Sequence, residues 1–337
     1  MLNYFYVSGA VGIAGLVGAY YYAGFQGMAI AAVLCVLEIS LSFDNSIINA
    51  AVLKDMSDIW RRRFLTWGIL IAVFGMRLVF PLSLVAFITH LNLLEVLDLA
   101  LKQPERYSEY LIQAHTTIAA FGGMFLLMVF LYFILDNKRN VHWLGVFEKK
   151  IAQIGILEYM HVVFALIILL SIQSFAAPEK QAVILVSGLY GIVTYIVIHS
   201  LAKYLNQRFI NLMQDNVVKK SGFISFLYLE ILDASFSFDG VIGAFAITTD
   251  IVIIMIGLGV GAFFVRSITI FLVEKKALQN YIYLEHGANY ALGALALMML
   301  VGIFYHISEV FMGAIGIIFI TSSYFSSLWA IRQQRNK

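Results

Sequence analysis

Long apolar runs, separated by short charged stretches, cover almost the whole chain. A helix needs about 20 apolar residues to cross the hydrocarbon core of a bilayer. Ten runs reach this length: residues 4–24, 28–52, 65–90, 111–135, 154–175, 181–202, 222–247, 250–273, 286–305 and 308–331. The pattern therefore predicts an all-α membrane protein with about ten transmembrane helices and no separate soluble domain.

The composition agrees with this pattern. The chain of 337 residues is 61% hydrophobic and only 12% charged, whereas a soluble protein is about 25% charged. Cys35 is the one cysteine, which excludes an internal disulfide and a metal site built from several cysteines. The N-terminal segment is apolar and does not begin with the basic residues typical of a signal peptide. We therefore interpret it as the first membrane helix.

The distribution of Lys and Arg predicts the orientation of the chain in the membrane. Most of the 22 Lys and Arg residues follow the even-numbered predicted helices or lie at the C-terminus, while the other loops hold only Lys102, Arg106 and Lys180. Positively charged loops stay on the cytoplasmic side, so both termini are expected to be cytoplasmic. The acidic stretch 95–109 is then an external loop, with a short surface helix.

One polar motif interrupts the apolar pattern, and it occurs once in each half of the chain. The first copy is residues 37–45 and the second is residues 232–240. Acids and serines occupy matching positions: Glu38 and Asp233, Asp44 and Asp239, Ser40 and Ser235, Ser42 and Ser237. An acid at membrane depth costs at least a few kcal/mol and is by default a functional-site hypothesis. Structural, hydrogen-bonded acids are the simpler alternative.

Other matched positions indicate an internal repeat. Arg77 and Arg266 lie in the third and eighth predicted helices, and His115 and His286 near the starts of the fourth and ninth. The members of each pair are five positions apart in the order of predicted helices, and an odd difference reverses the direction across the membrane. We therefore predict two inverted five-helix repeats, residues 1–175 and 176–337, an arrangement known from secondary transporters.

The spacing of the two acids raises a question of geometry. Asp44 follows Glu38 by six residues, which is roughly 240° around a regular helix. Both acids face one site only if the helix breaks between them. Asp44-Asn45 and Asp239-Gly240 are the expected break points, because Asn and Gly tolerate a left-handed backbone. Broken helices near mid-membrane bind ions through their freed carbonyls.

The resulting candidate site contains only oxygen donors. Carboxylates, hydroxyls, an amide and carbonyls suit a hard or borderline divalent cation such as magnesium, calcium or manganese. The predicted metal ligands are Glu38, Asp44, Asn45, Asp233 and Asp239. Auxiliary polar or proton-coupling roles are predicted for Ser40, Ser42, Glu230, Ser235, Ser237, Arg77, Arg266, His115 and His286. We expect protons to load the carboxylates as the cation leaves, and the arginines to offset part of the negative charge.

The two motif segments resemble the membrane signature of the TerC/Alx family of the LysE-type transporter superfamily, in its branch of unknown function. The resemblance is specific over the two motif helices and looser elsewhere. It implies manganese efflux across the bacterial cytoplasmic membrane, with Glu38, Asp44, Asn45, Asp233 and Asp239 essential. The chain departs from the pattern where Gly240 replaces the Asn of the first copy.

Other functions remain open at this point. A small organic solute or an amino acid is an alternative substrate, with Arg77 and Arg266 as anion clamps. A membrane subunit of a tellurium or metal stress-response complex is a further alternative. An enzyme is not expected, because the chain has no His-Glu-x-x-His run, nucleophile elbow or nucleotide-binding loop. Lipid is the expected partner, with no nucleic acid and no resident cofactor; homo-oligomerisation is left open.

Overall fold

The computed structural model describes the chain except residues 1, 55, 90, 138, 140, 156, 158, 213–221, 249, 276–280, 306, 308, 336 and 337. For further helical residues it describes the backbone and not the side chain: residues 2, 3, 44, 80, 84, 87–89, 202, 203, 205–212, 224, 234–239, 242, 243, 246, 309, 310, 334 and 335.

The described chain consists of helices and contains no β-strand. The α-helices are α1 (Leu2–Leu41), α2 (Phe43–Leu53), α3 (Asp58–Arg63), α4 (Phe80–Thr89), α5 (Leu93–Lys102), α6 (Pro104–Ile134), α7 (Val146–Ile154), α8 (Met160–Phe175), α9 (Pro178–Leu212), α10 (Gly222–Ile247), α11 (Ile251–Glu274), α12 (Leu284–Gly302) and α13 (Glu309–Arg335). Two π-helices, π1 (Phe64–Gly68) and π2 (Ile71–Val79), lie between α3 and α4. Such π segments are uncommon and are frequent at functional sites.

Within the described residues, six helices are long and apolar enough to cross a membrane. They are Tyr4–Leu41, Pro104–Ile134, Pro178–Leu201, Ile251–Glu274, Leu284–Gly302 and Phe311–Gln333. A seventh is added if Asp58–Gly68 and Ile71–Ser83, which meet at 42°, form one broken span. The all-α membrane architecture is thus as predicted, while the count of ten spans stays a prediction.

The first predicted boundary, between residues 24 and 28, corresponds to a kink inside α1. Ala23 and Gly24 leave helical geometry there, and Gly24 has φ 68°. A left-handed backbone of this kind carries little steric cost for Gly. The kink separates the N-terminal half of α1 from the half that carries the first acidic motif.

A close contact between α1 and α11 holds the first motif in place. A Cβ at Gly257 would lie 2.6 Å from Leu34 Cβ, and one at Gly261 would lie 2.6 Å from Glu38 Cβ. Small residues four apart let membrane helices approach closely. The absence of side chains at Gly257 and Gly261 therefore allows α11 to pack directly against the Glu38 turn of α1.

The expected external loop contains a short helix, α5. Asn92 caps it, since its side chain accepts a hydrogen bond from the Glu95 N–H at 2.9 Å while Glu95 accepts one from Asn92 N–H at 3.0 Å. This reciprocal capping satisfies two backbone donors that the first turn leaves unpaired. After α5 the chain turns at Gln103 and enters α6, whose central residues Met124, Phe125 and Leu126 are fully buried.

Candidate functional site

The helix carrying the first motif is interrupted at Ser42. The backbone there has φ −98° and ψ 12°, so α1 ends at Leu41 and α2 begins at Phe43. The interruption is mild, because Ser42 N–H still bonds Glu38 O at 2.9 Å and Ser46 N–H bonds Ser42 O at 3.1 Å. The predicted break at Asp44-Asn45 is therefore wrong in position: it lies at Ser42, between the two acids.

The second motif has no such interruption. The backbone of α10 is helical from Gly222 to Ile247, straight through Asp239-Gly240, so the break predicted there is wrong. Gly240 serves close packing instead, since a Cβ added to it would lie 3.2 Å from Glu38 Oε2. The absence of a side chain at Gly240 therefore leaves room for the Glu38 carboxylate of the first motif. The glycine has this role within a regular helix and not in a left-handed turn.

Glu38 is buried in an ion pair with Arg77. The Glu38 side chain is 1% exposed and that of Arg77 is 5% exposed. Arg77 Nη2 donates to Glu38 Oε1, and Arg77 Nη1 donates to the carbonyl of Ala72 in π2. Ser42 Oγ also donates to Glu38 Oε1, at 2.7 Å. The Glu38 charge is therefore neutralised and hydrogen-bonded within the protein, as a buried ion pair requires.

Asp233 of α10 lies against two amide side chains of α2. Asn45 Nδ2 donates to Asp233 Oδ1, and the Asn49 side chain also interacts with this carboxyl. The two asparagines are four residues apart and so share one face of the helix. Asp233 also interacts electrostatically with Arg77 and Glu38, which places all these groups in one polar cluster.

The two motifs contact each other reciprocally. Asn45 lies seven positions after Glu38 and binds Asp233. Gly240 lies seven positions after Asp233 and packs against Glu38. The first acid of each motif thus meets the matching position of the other copy, where Asn supplies a hydrogen bond in one case and Gly supplies space in the other.

A cavity of about 40 Å³ lies at this meeting point. One water molecule needs roughly 10–15 Å³ measured this way, so the cavity has room for about three waters or one partly hydrated ion. Its polar lining consists of Ser42, Asn49, Arg77, Asp233, Arg266 and Thr269. The rest comes from π1, π2, Ile69 between them, and α11, so the uncommon π geometry forms part of one wall of the cavity.

Glu230 is a second acid of α10, one turn before Asp233. Its side chain is buried, and neither carboxyl oxygen has a hydrogen-bond partner among the described residues. A Cβ at Gly68 of π1 would lie 2.9 Å from Glu230 Oε1. Glu230 therefore lies beside the cavity wall, in an apolar setting that disfavours an isolated charge.

The remaining predicted site residues have varied positions. Arg266 lines the cavity, with Nε donating to the carbonyl of Leu65. Ser40 Oγ donates to Val36 O of its own helix at 2.9 Å and does not line the cavity. His286 lies in the first turn of α12 and His115 lies beside Gly302 at its other end, and neither lines the cavity. Four predicted side chains lie outside the described ones: Asp44, Asp239, Ser235 and Ser237.

A cluster of metal-binding side chains is not found among the described residues. No group of three or more His, Cys, Asp or Glu there has the geometry to hold a metal ion. Because Asp44 and Asp239 lie outside this set, the predicted site of four carboxylates stays a prediction. The described part contributes two of these carboxylates, Asp233 and the Arg77-paired Glu38, together with hydroxyl and amide groups.

The amide of Asn49 was missed by the sequence reasoning, which stopped at the end of the motif. Its signal was the spacing: Ser42, Asn45 and Asn49 recur at intervals of three and four residues, which puts them on one helix face. One helical turn beyond Asn45, the same polar face of the helix reaches Asn49.

A second polar cluster, centred on Glu148 of α7, was also missed. Glu148 is 0% exposed and accepts hydrogen bonds from Trp143 N–H at 3.0 Å, Leu144 N–H at 3.2 Å and Tyr290 Oη–H at 2.9 Å. Arg139 Nη2 lies 3.6 Å from Glu148 Oε2. Burial lowers the pKa of Arg139, and the Glu148 carboxylate opposes that shift.

The histidines beside Glu148 complete this cluster. His142 Nδ1 lies 3.6 Å and His286 Nε2 lies 3.9 Å from Glu148 Oε2, and His286 Nε2 is also 3.0 Å from Val141 O. These contacts join the segment before α7 to α12. We interpret the cluster as a structural anchor, because its central carboxylate is fully hydrogen-bonded.

The fold and the buried polar site define the class of the protein: it is an all-α integral membrane protein. Residues 43–335 match the protein family described as "Protein of unknown function (DUF475)", and the chain belongs to that family. No curated protein and no solved structure matches the chain.

The family match corrects one expectation. The matching family is DUF475 and not the TerC/Alx family, so the assignment to TerC/Alx and to the LysE-type superfamily is wrong. The likeness rested on two short acidic segments, and short polar motifs in apolar helices recur for physical reasons alone. The essential roles and manganese efflux implied by that resemblance therefore lose this support, and any function must be argued from the site itself.

Proposed function

We propose that the protein is a secondary transporter that exports a divalent metal cation in exchange for protons, with manganese the first cation to test. The observation that carries the proposal is the placement of Asp233. Asp233 lines a cavity of about 40 Å³, and its carboxyl accepts a hydrogen bond from the Asn45 amide. Oxygen donors of this kind suit magnesium, calcium and manganese.

The charges around the cavity favour Asp233 as the cation ligand. Glu38 is paired directly with Arg77, whereas Asp233 accepts a hydrogen bond from the neutral amide of Asn45 and interacts with Arg77 electrostatically. Asp44 and Asp239 would contribute further carboxylates in this proposal. Proton exchange follows from the same burial, because a carboxylate that loses its cation inside the membrane is stabilised by taking up a proton.

The reciprocal contacts support two inverted repeats meeting at the site. In the proposal, ten helices form two five-helix halves, residues 1–175 and 176–337, with both termini in the cytoplasm of a bacterial cell. Asn45 against Asp233 and Gly240 against Glu38 are the contacts expected near a pseudo-two-fold axis. Rocking of the halves around this point would give alternating access.

A second candidate substrate is a small organic solute, such as an amino acid. Asp233 and Arg266 line the same cavity, and together they could bind the ammonium and carboxylate groups of a zwitterion. The size of the cavity favours the ion, because pockets for small organic molecules are about 300–1,000 Å³. This candidate predicts that Arg266→Gln abolishes transport.

The test is flux into proteoliposomes of manganese, magnesium, calcium, zinc and iron, with and without a pH gradient. We expect a divalent flux that follows the proton gradient and is lost in Asp233→Asn, Asp44→Asn and Asp239→Asn. Ser40→Ala is the matched control, because that serine belongs to the first motif but bonds Val36 of its own helix and does not line the cavity. Amino acid flux without any metal flux would overturn the proposal in favour of the second candidate.

A further inference from the structure

Glu230 of α10 is a buried acid whose carboxyl group makes no hydrogen bond to the described residues. The residue is 6% exposed, and both of its carboxyl oxygens lack a partner there. An ionised carboxylate in this position has lost its hydration without a compensating donor, which costs far more than the burial of a neutral carboxyl group. Burial therefore favours the protonated form of Glu230 in this conformation.

The surroundings of Glu230 on the side of π1 are apolar. A Cβ added to Gly68 would lie 2.9 Å from Glu230 Oε1 and 3.2 Å from Phe64 Cδ2, so the carboxyl and the Phe64 ring lie against the same glycine. Phe64 also contacts Phe226, one turn before Glu230, with ring centroids 6.2 Å apart. Aromatic rings thus border this part of α10, where a carboxylate would need hydrogen-bond donors or a cation.

Glu230 lies close to the cavity although it does not line it. Gly68 is part of the cavity lining, and the absence of a side chain there lets the Glu230 carboxyl approach the cavity wall. Asp233, which lines the cavity, follows Glu230 by three residues, so the two acids share one face of α10. Asp233 acts electrostatically on Glu230. A negative charge on one acid therefore disfavours a negative charge on the other, unless a cation lies near both.

The charges at the cavity leave a need for a second negative charge when a divalent cation enters. Glu38 is already paired with Arg77, and Arg266 adds a positive charge to the lining beside the one carboxyl of Asp233. Two further positive charges in a low-dielectric site are costly unless carboxylates match them. Ionisation of Glu230 supplies one such charge, so cation entry and proton release from Glu230 favour each other.

We propose that Glu230 carries a second proton of the exchange, in addition to the proton that Asp233 takes up when the cation leaves. This inference rests on the proposed transport function and adds to it a proton carrier outside the cavity lining. In the described conformation Glu230 holds its proton. When the cation enters, the O–H bond of Glu230 breaks and the proton passes to water in the cavity. The carboxylate that remains offsets part of the charge of the cation.

The protonation of Glu230 is tested by infrared spectroscopy of the full-length protein in detergent. A protonated carboxyl group has a carbonyl stretch separate from that of a carboxylate, and its measurement does not require transport. We expect Glu230→Gln to remove the intensity of one protonated carboxyl group at neutral pH. Glu285→Gln is the matched control, because that acid is partly exposed and pairs with Lys54 at 3.4 Å. It should leave the band unchanged.

The role in coupling is tested by counting the protons released per Mn²⁺ taken up, in the same proteoliposomes. We expect Glu230→Gln to release one proton fewer per Mn²⁺ than the native protein, and Glu285→Gln to keep the native ratio. Each Mn²⁺ then carries one more unit of positive charge across the membrane, so the flux should also become more sensitive to an imposed membrane potential. A purely structural role of Glu230 would lower the flux and leave the ratio unchanged.

The outcomes distinguish this inference from the function on which it rests. An unchanged carboxyl band or an unchanged ratio of protons to Mn²⁺ in Glu230→Gln would overturn the role of Glu230 and leave the proposed function standing. If Glu230→Gln does not fold, Gly68→Ala replaces it, because the added Cβ would lie 2.9 Å from Glu230 Oε1 and displace the carboxyl. We then expect a lower ratio, and a native ratio overturns the inference. Absence of any Mn²⁺, Mg²⁺ or Ca²⁺ flux through the native protein would overturn both.

Discussion

Arg77 and Glu38 form a buried ion pair between π2 and the end of α1, with both side chains at least nine-tenths buried. Each charge has further polar partners: Ser42 for the carboxylate and the Ala72 carbonyl for the guanidinium. The pair therefore fixes π2 against the first motif and sets the position of the cavity wall. It also gives the Glu38 carboxylate a counter-charge within the protein.

The pair predicts a large loss of stability when one charge is removed. Arg77→Met leaves Glu38 buried without its counter-charge, which costs about 3–5 kcal/mol. Thermal unfolding in detergent should show a clearly lower midpoint. The double variant Arg77→Met/Glu38→Leu should recover much of the loss, because two apolar side chains replace the pair. A double variant no more stable than Arg77→Met would contradict this account of the pair.

Close packing at Gly261 gives a second prediction. The Cβ of Gly261→Ala would lie 2.6 Å from both Cβ and Cγ of Glu38, so α11 must move away from α1. Overpacking of this kind costs about 1–3 kcal/mol, and the displaced Glu38 should also impair transport. Gly18→Ala is the matched control, since nothing lies within 4 Å of its added Cβ. Equal effects of the two substitutions on the unfolding midpoint would argue against the tight contact.

Glu230 gives a prediction of the opposite sign. Both of its carboxyl oxygens lack partners among the described side chains, so replacing the acid removes an unfavourable burial. We expect Glu230→Gln to unfold at the native temperature or above it. A midpoint several degrees lower would mean that the carboxylate makes a stabilising contact, and the interpretation of Glu230 would fail.

Glu148 is the contrasting acid, with every oxygen engaged. Glu148→Gln leaves Arg139 buried without its anion, and we expect a loss of about 3–5 kcal/mol. Trp143 reports the change, because its backbone N–H bonds Glu148 and its ring packs 5.7 Å from that of Tyr290. Its fluorescence should shift to the red as the segment detaches. Unchanged emission together with native stability would show that Glu148 is not an anchor.

The apolar pattern of the sequence predicted much of the helical structure, whereas the polar contacts could be identified only from the folded structure. The run 222–247 has the same bounds as α10, because the length of an apolar run is visible in the sequence. The interruption lies at Ser42, two residues before the predicted point, and beside it the chain contacts distant elements, such as Ser46 with Val265. Local propensity at Asp44-Asn45 contains no information on those contacts.

The candidate site could be predicted from the sequence only in part, because its contacts also join residues that lie far apart in the sequence. Internal repetition drew attention to Glu38 and Asp233, and the structure brings both into one polar cluster. Repetition alone could not reveal that Arg77 pairs with Glu38 while the Asn45 amide bonds Asp233. That asymmetry arises from the different neighbours of each copy, which lie far apart in sequence.

The central claim is that Asp233 exchanges a divalent cation for protons. The most direct measurement records Mn²⁺ entry and proton release together, in the same proteoliposomes, for the native protein and for Asp233→Asn. The account predicts coupled fluxes in the native protein, and at least a tenfold loss of both in a variant that still folds. Undiminished coupled flux through Asp233→Asn would contradict it.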